Sequence, residues 1–327
     1  MKLELLVQDS ETGRINEISE LVDTITWSTY IIDQPGKLTF NILDSEAKLQ
    51  ISEGSRVSFK VNGQGIFFGF IFKIELDQDE MIAVTAYDQM RYLKNKDTYV
   101  IASTTASQLF AKVCADFKLK YNVLDQSEYV LPSSVEDNKA LMEMIQKGID
   151  LTLINKGTWY IIRDNFGTLE FSSLNRLKTN VVIGDASSLE AYSFTSSIDD
   201  DTFNLVKLVK ENKDTNKRDV YIVKDSSTIA KWGTLQYFEK MDENANAAQI
   251  QQRAEMILNL KNRKTKTLKL GNVLGDIRVF AGSGVVLSIQ KLANKGVNLN
   301  KYFMVTEATH SFSNDLHTMS LAMQVSV

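Results

Sequence analysis

Only two histidines and one cysteine occur in the 327 residues, and that scarcity removes much chemistry at once. The lone Cys114 excludes an intrachain disulfide framework and any multi-cysteine zinc site, and it suits a chain made in a reducing compartment. Its setting, SQLFAKVCADF, places Leu109, Phe110, Val113 and Phe117 at helical spacing, so Cys114 reads as a buried core thiol. Nowhere are about 18 apolar residues consecutive, and MKLELLVQDSETGR has too short an apolar run for a signal-peptide core. Neither membrane insertion nor standard secretion is expected. The formal net charge is −4 with basic and acidic residues interleaved, and no long basic block marks a specific nucleic-acid ligand. Catalytic signatures are missing as well: there is no GxSxG, P-loop or dinucleotide-binding glycine triplet. The Gly282-Ser283-Gly284 run in FAGSGVVL reads as a hairpin turn between strands.

What is present is the composition and patterning of a folded, mainly β chain. Hydrophobic residues make up 43%, and at roughly 100–200 residues per domain the length predicts two or three domains. Residues 1–100 read as a small barrel-like β domain of closely spaced strands with a turn at Pro35-Gly36. Within it NGQGIFFGFIFKI is apolar on both faces, with Phe68, Phe70, Phe72 and Ile74 on one side and Phe67 and Ile71 on the other. Such a strand needs cover on both faces, from another domain or from another subunit, which makes Phe67 and Ile71 interface candidates.

Residues 101–175 read as an α+β module. A helix capped near Thr104 or Thr105 is followed by a second, SSVEDNKALMEMIQKGIDLTL, carrying Leu141, Ile145 and Ile149, and then by a strand pair. Residues 176–240 and 264–327 read as a second barrel-like β domain, interrupted by one inserted helix over 241–263 with Ile250, Ala254, Ile257 and Leu258 along one side. The acidic run Asp199, Asp200 and Asp201 reads as a solvated turn opening the next strand.

Both histidines fall in ATHSFSNDLHTM, which reads as a hairpin. A turn centred between Ser313 and Asn314 would set His310 directly opposite His317, close enough for the imidazoles to touch or share a metal. A metal would need further ligands from Glu307 or Asp315, which match no recognised spacing, so the pair is expected to pack or hydrogen-bond across the hairpin. No metal, cofactor or catalytic residue is expected, and the chain does not read as an enzyme.

Four blocks carry a resemblance: AYDQMRYLKNKDTYVI, IDDDTFNLVKLV, KWGTLQYFEKMDENANAAQIQQRAEMIL and YFMVTEATHSFSNDLHTMSL. In order and spacing they resemble the XkdQ/YqbQ family of PBSX-like phage elements, baseplate hub proteins of contractile phage tails and R-type bacteriocins. The resemblance implies a structural protein of the virion forming a homotrimeric ring with two barrel-like domains per subunit. The ring would present six barrels to a hexameric tail tube and join that tube to the central spike. Implied partners are the tail tube protein, a spike or LysM-type hub-associated protein, baseplate wedge proteins and the tape measure protein. It also implies synthesis in the bacterial cytoplasm and residence in the assembled tail or bacteriocin particle. Trp232 and Tyr237, together with Phe67, Ile71, His310 and His317, are the interface candidates. Two other classes compete: a tail-associated peptidoglycan hydrolase, and a carbohydrate- or receptor-binding β protein for which Trp159 and Trp232 would stack on sugar.

Overall fold

The computed structural model describes residues 1–43, 51–76, 78, 81–185, 191–199, 201–212, 217–241, 245–294, 297, 299, 301–313 and 316–325. It is mainly β, with barrel-like β units at both ends of the chain and helices between and within them. The first unit contains β1 (Leu3–Gln8), β2 (Ile15–Glu17), β3 (Val22–Tyr30), β4 (Lys37–Leu43), β5 (Arg56–Val61), β6 (Gln64–Leu76) and β7 (Met81–Tyr87). These strands pair in the order β3-β4-β7-β6-β5-β1-β2, around a core that includes Leu5, Leu38, Phe40, Val57 and Phe59.

Side-chain alternation along β6 is broken twice. Phe59 faces Phe67 while Lys60 faces Gly65, so Ile66 bulges out of register with β5. Ile71 faces Ala86 while Lys73 faces Thr85, so Phe72 bulges against β7. Each bulge reverses the in-and-out parity of the residues beyond it. Phe67 and Ile71, 2% and 1% exposed, therefore point into the core, and Ile74 packs on that same side. This corrects two expectations: Phe67 and Ile71 form no outward interface, and Ile74 does not share a face with the three remaining phenylalanines. Those three lie half-buried on the outer side and are covered by the same chain. Phe68 meets Phe166 at 6.1 Å between centroids, Phe70 and Phe72 meet Tyr92 at 5.8 and 6.0 Å, and Arg91 lies 5.2 Å over Phe72.

The middle module contains β8 (Lys96–Ile101), α1 (Ala106–Asp116), β9 (Tyr121–Val123), β10 (Ser134–Ala140), α2 (Leu141–Lys156), β11 (Tyr160–Asp164) and β12 (Leu169–Ser173). Thr105 caps α1, completing a capping box with Gln108, and Leu109, Phe110, Val113 and Cys114 are buried beneath it. The second helix starts later than expected. Ser134–Ala140 is a strand paired with β8, which supplies the hydrogen-bond partners that a helical turn would otherwise provide. α2 then begins at Leu141, whose N–H donates to the Asn95 carbonyl, so tertiary structure supplies the cap that no side chain provides.

The last part contains β13 (Lys178–Gly184), β14 (Ala191–Ser197), β15 (Leu205–Asn212), β16 (Lys217–Lys224), α3 (Ser226–Trp232), β17 (Gln236–Lys240) and α4 (Ala247–Lys261). It continues with β18 (Thr265–Leu274), β19 (Gly284–Ser288), α5 (Gln290–Asn294), β20 (Tyr302–Ser313) and β21 (Leu316–Val325). The insertion is larger than one helix. Strands β15, β16 and β17 form their own sheet, in the order β16-β15-β17, and bury Val206 and Leu208 against Ile250, Ala254 and Ile257 of α4. The strands expected in the second β unit over 205–240 thus belong with the helix, because α4 alone would leave its apolar side uncovered.

The two β units are not separate bodies. Strand β20 pairs with β21 on one side and with β3 on the other, in register from Glu307 opposite Tyr30 to Ser313 opposite Thr24. One 13-stranded sheet therefore runs from β14 to β2 through both ends of the chain.

Candidate functional site at the junction of the two β units

The β3–β20 seam concentrates the unusual side chains. Phe312 of β20 is fully buried within the first unit's core, 5.1 Å from the Phe59 ring. The loop from β18 to β19 crosses this seam and packs Ile277 and Phe280 against the same core. Ala281 donates its N–H to Thr29 Oγ1 at 2.9 Å, and Arg163 of β11 lies 4.5 Å over the Phe280 ring. That loop ends in the Gly282-Ser283-Gly284 run. Its flanking strands are not partners, since β18 pairs with β14 and β21 whereas β19 pairs with β13 and β20, so the run is a crossing connection and not the expected hairpin turn. Gly282, at φ +96°, passes so close to Ile161 that a Cβ would sit 2.2 Å from Cδ1.

The histidines meet beneath this loop. Phe312 faces His317 and His310 faces Met319, so the pair is diagonal and not directly opposed as expected. The rings still touch, because residues 310 and 312 share a face and a diagonal neighbour lies within side-chain reach. His310 Nδ1 and His317 Nε2 are 2.9 Å apart, and His310 Nε2 is 2.7 Å from the Val279 carbonyl. A carbonyl only accepts, so His310 carries its proton on Nε2 and accepts at Nδ1 from His317 Nε2–H. Both nitrogens of His310 are consumed by the protein. Trp27 lies 5.0 Å from the His310 ring, Phe312 stacks on His317 at 4.2 Å, and a Cβ on Gly275 would overlap the His317 ring. Burial pushes both imidazoles down to about 4, His310 further disfavoured by the charge of His317. Among the described residues no three of His, Cys, Asp and Glu gather as a metal site.

A cavity of about 640 Å³ opens beside the seam, lined by Trp27, Asp88, Arg163, Asp164, Arg278 and Phe280 among others. Its arginines are already engaged: Arg163 with Glu170 at 2.7 Å, Arg176 with Asp125 at 2.8 Å and Arg278 with Asp276. Asp88 accepts the N–H groups of Gly36 at 2.9 Å and Met90 at 3.0 Å, bracing the Pro35-Gly36 turn. Asp164 accepts from Gly167 at 2.6 Å and Gln89 at 3.3 Å. Burial pushes Asp164 up to about 6, and burial with the Asp164 charge nearby holds Asp88 well above the carboxylate range. Nothing in the sequence marked these two acids, since residues 76 apart converge only when the module docks on the first β unit.

A family model described as YQBQ-like matches residues 25–324. The chain belongs to the YQBQ-like family. It is 29% identical over 312 residues to the uncharacterized protein YqbQ of Bacillus subtilis, covering 93% of each chain. It is 30% identical over 273 residues to the phage-like element PBSX protein XkdQ of the same organism, covering 83% of this chain and 81% of the relative. Among solved structures, the 43 kDa tail protein of prophage MuSo2 from Shewanella oneidensis shares its fold, with a TM-score of 0.70, 12% identity and 98% coverage of both chains.

In this member of the YQBQ-like family the other expected site residues scatter. Trp232 ends α3 half-buried, and Tyr237 faces α4, its hydroxyl 3.2 Å from Glu239. The exposed aromatic is its neighbour Phe238, 54% exposed, on the opposite face of β17. Trp159 packs on the module core. Asp201 pairs with Lys261, and Asp200 lies outside the described residues.

Proposed function

We propose that this chain is a structural hub of a phage-type tail baseplate, three copies closing into a ring between a hexameric tail tube and a central spike. One observation carries the reading: each chain holds two barrel-like β units locked into one sheet by β3 and β20. Such a chain offers two β units at a fixed spacing, so a threefold ring of rigid subunits can present six units to a sixfold tube. The seam chemistry fits mechanical work: the histidines, acids and arginines are engaged by protein partners, and Ala281 with Thr29, Arg163 with Phe280 and Asp164 with Gln89 tie one part of the chain to another. The names of the relatives, a PBSX phage-like element protein and a prophage tail protein, support the same assignment. On this reading the chain is made in the bacterial cytoplasm and ends in the tail or bacteriocin particle. Its neighbours there are the tube protein, a spike or LysM-type protein, wedge proteins and the tape measure protein.

Native mass spectrometry tests the ring. A metal-free trimer is expected, from the chain alone or on mixing with tube and spike proteins. A chain that stays monomeric in every mixture overturns the hub assignment.

A further inference from the structure

The inserted sheet has an inner face covered by α4 and an outer face that is open at its two flanking strands, while Val209 of the central strand is only 4% exposed. Tyr221, Val223 and Tyr237 pack with Val206 and Leu208 toward α4. On the outer face the register aligns Ile222, Lys207 and Phe238 in one row, and Val220, Val209 and Lys240 in the next. Ile222, Phe238 and Val220 are 53%, 54% and 50% exposed. This mixed sheet is packed on one side by α4; a sheet face left to solvent ordinarily carries polar side chains at such positions, and large apolar ones on neighbouring strands mark a binding surface.

Charge narrows the partner. Among the described residues Lys207, Lys224, Lys240 and Arg218 share this face with one acid, Glu211, which pairs with Lys240 at 2.7 Å and Arg218 at 3.7 Å, so the patch is net basic on a chain whose net charge is −4. Its complement must be apolar and acidic, and the chain carries such a surface itself. Around β2 and the turn beyond it, Ile15 is 63% and Leu21 50% exposed, with Glu17, Glu20 and Asp23 exposed beside them. This rim belongs to the first β unit, running from β2, the terminal strand of the continuous sheet, to the start of β3, whereas the inserted sheet leaves the second unit between β14 and β18. Two unlike surfaces on opposite units of one chain make a heterologous contact, the kind that closes rings.

We propose that the outer face of the inserted sheet docks on the acidic N-terminal rim of a second copy of this chain. The proposal rests on the ring reading above and names the surfaces that build it. Three variants test it, each first checked for wild-type melting temperature: Lys207→Glu with Lys224→Glu, Glu17→Lys with Glu20→Lys, and the combination of all four. Native mass spectrometry and sedimentation are run on each, alone and with tube and spike proteins. Each reversal is expected to weaken trimer formation by about tenfold or more, and the combination to recover most of the loss, since opposite charges then face each other again. Phe238→Ser, which changes no charge, should weaken the trimer in the same way. Trimers indifferent to these changes overturn the contact while leaving the ring intact. Failure of the combination to recover overturns the pairing of the two surfaces. Retained trimers that no longer bind tube or spike protein give the face to that partner instead, and a wild-type chain that never trimerises removes the ring and the contact together.

Discussion

At the scale of single residues, two buried titratable pairs set opposite pH dependences. Unfolded histidine titrates near 6.5, whereas His310 and His317 are held to about 4 in the fold. Between those values the unfolded chain binds more protons, so this pair costs stability as pH falls from about 6.5 to about 4. The Asp88–Asp164 pair acts the other way. Its folded affinity for protons exceeds that of a free carboxyl, so stability is lost as pH rises from 3.8 to about 6 and beyond. Urea midpoints across pH 4–7 separate the two. His317→Gln, which keeps a donor for His310 Nδ1, is expected to flatten the fall on acidification. Asp164→Asn is expected to raise stability at pH 7 by about 1 kcal/mol, through relief of desolvation and repulsion, and to give no gain at pH 4.

At the scale of elements, parity decides what each side chain does. Strand β6 was legible as apolar on both faces, but its two bulges were not, because a bulge is fixed by the partner strands and leaves no local mark. The consequence is measurable. Phe67→Asp buries a charge in the first core and is expected to cost about 4 kcal/mol or more, enough to unfold the unit. Phe238→Asp, on an exposed face, is expected to change stability by less than about 0.5 kcal/mol. Chemical denaturation of the two variants side by side checks both values. Helix α1 was readable from its cap near Thr105 and α4 from the apolar side of Ile250, Ala254, Ile257 and Leu258, and the structure adds a capping box at Asn246, while the start of α2 was hidden behind a strand that only its pairing with β8 explains.

At the scale of the whole molecule, the seam makes two β units into one folding body. Phe312 comes from the second unit and completes the core of the first. Phe312→Ala is therefore expected to cost about 3–5 kcal/mol and to move the melting of both units together. Differential scanning calorimetry should show one shifted transition; a split into a shifted and an unshifted peak would mean that the units melt apart.

The sequence by itself determined the family through its ordered blocks, the mainly β class through strand periodicity and punctuation, and the capped helices through local signals. It also identified the histidine hairpin, whose two strands are neighbours in the chain. Only tertiary structure decided how the hairpin is registered, which face of β6 is the core, and that β15 to β17 join α4 in a separate sheet. It alone brought Asp88 to Asp164 and β20 to β3. The physical reason is range: periodicity and capping act over a few residues, whereas register, cross-unit pairing and burial of charge depend on partners tens to hundreds of residues away.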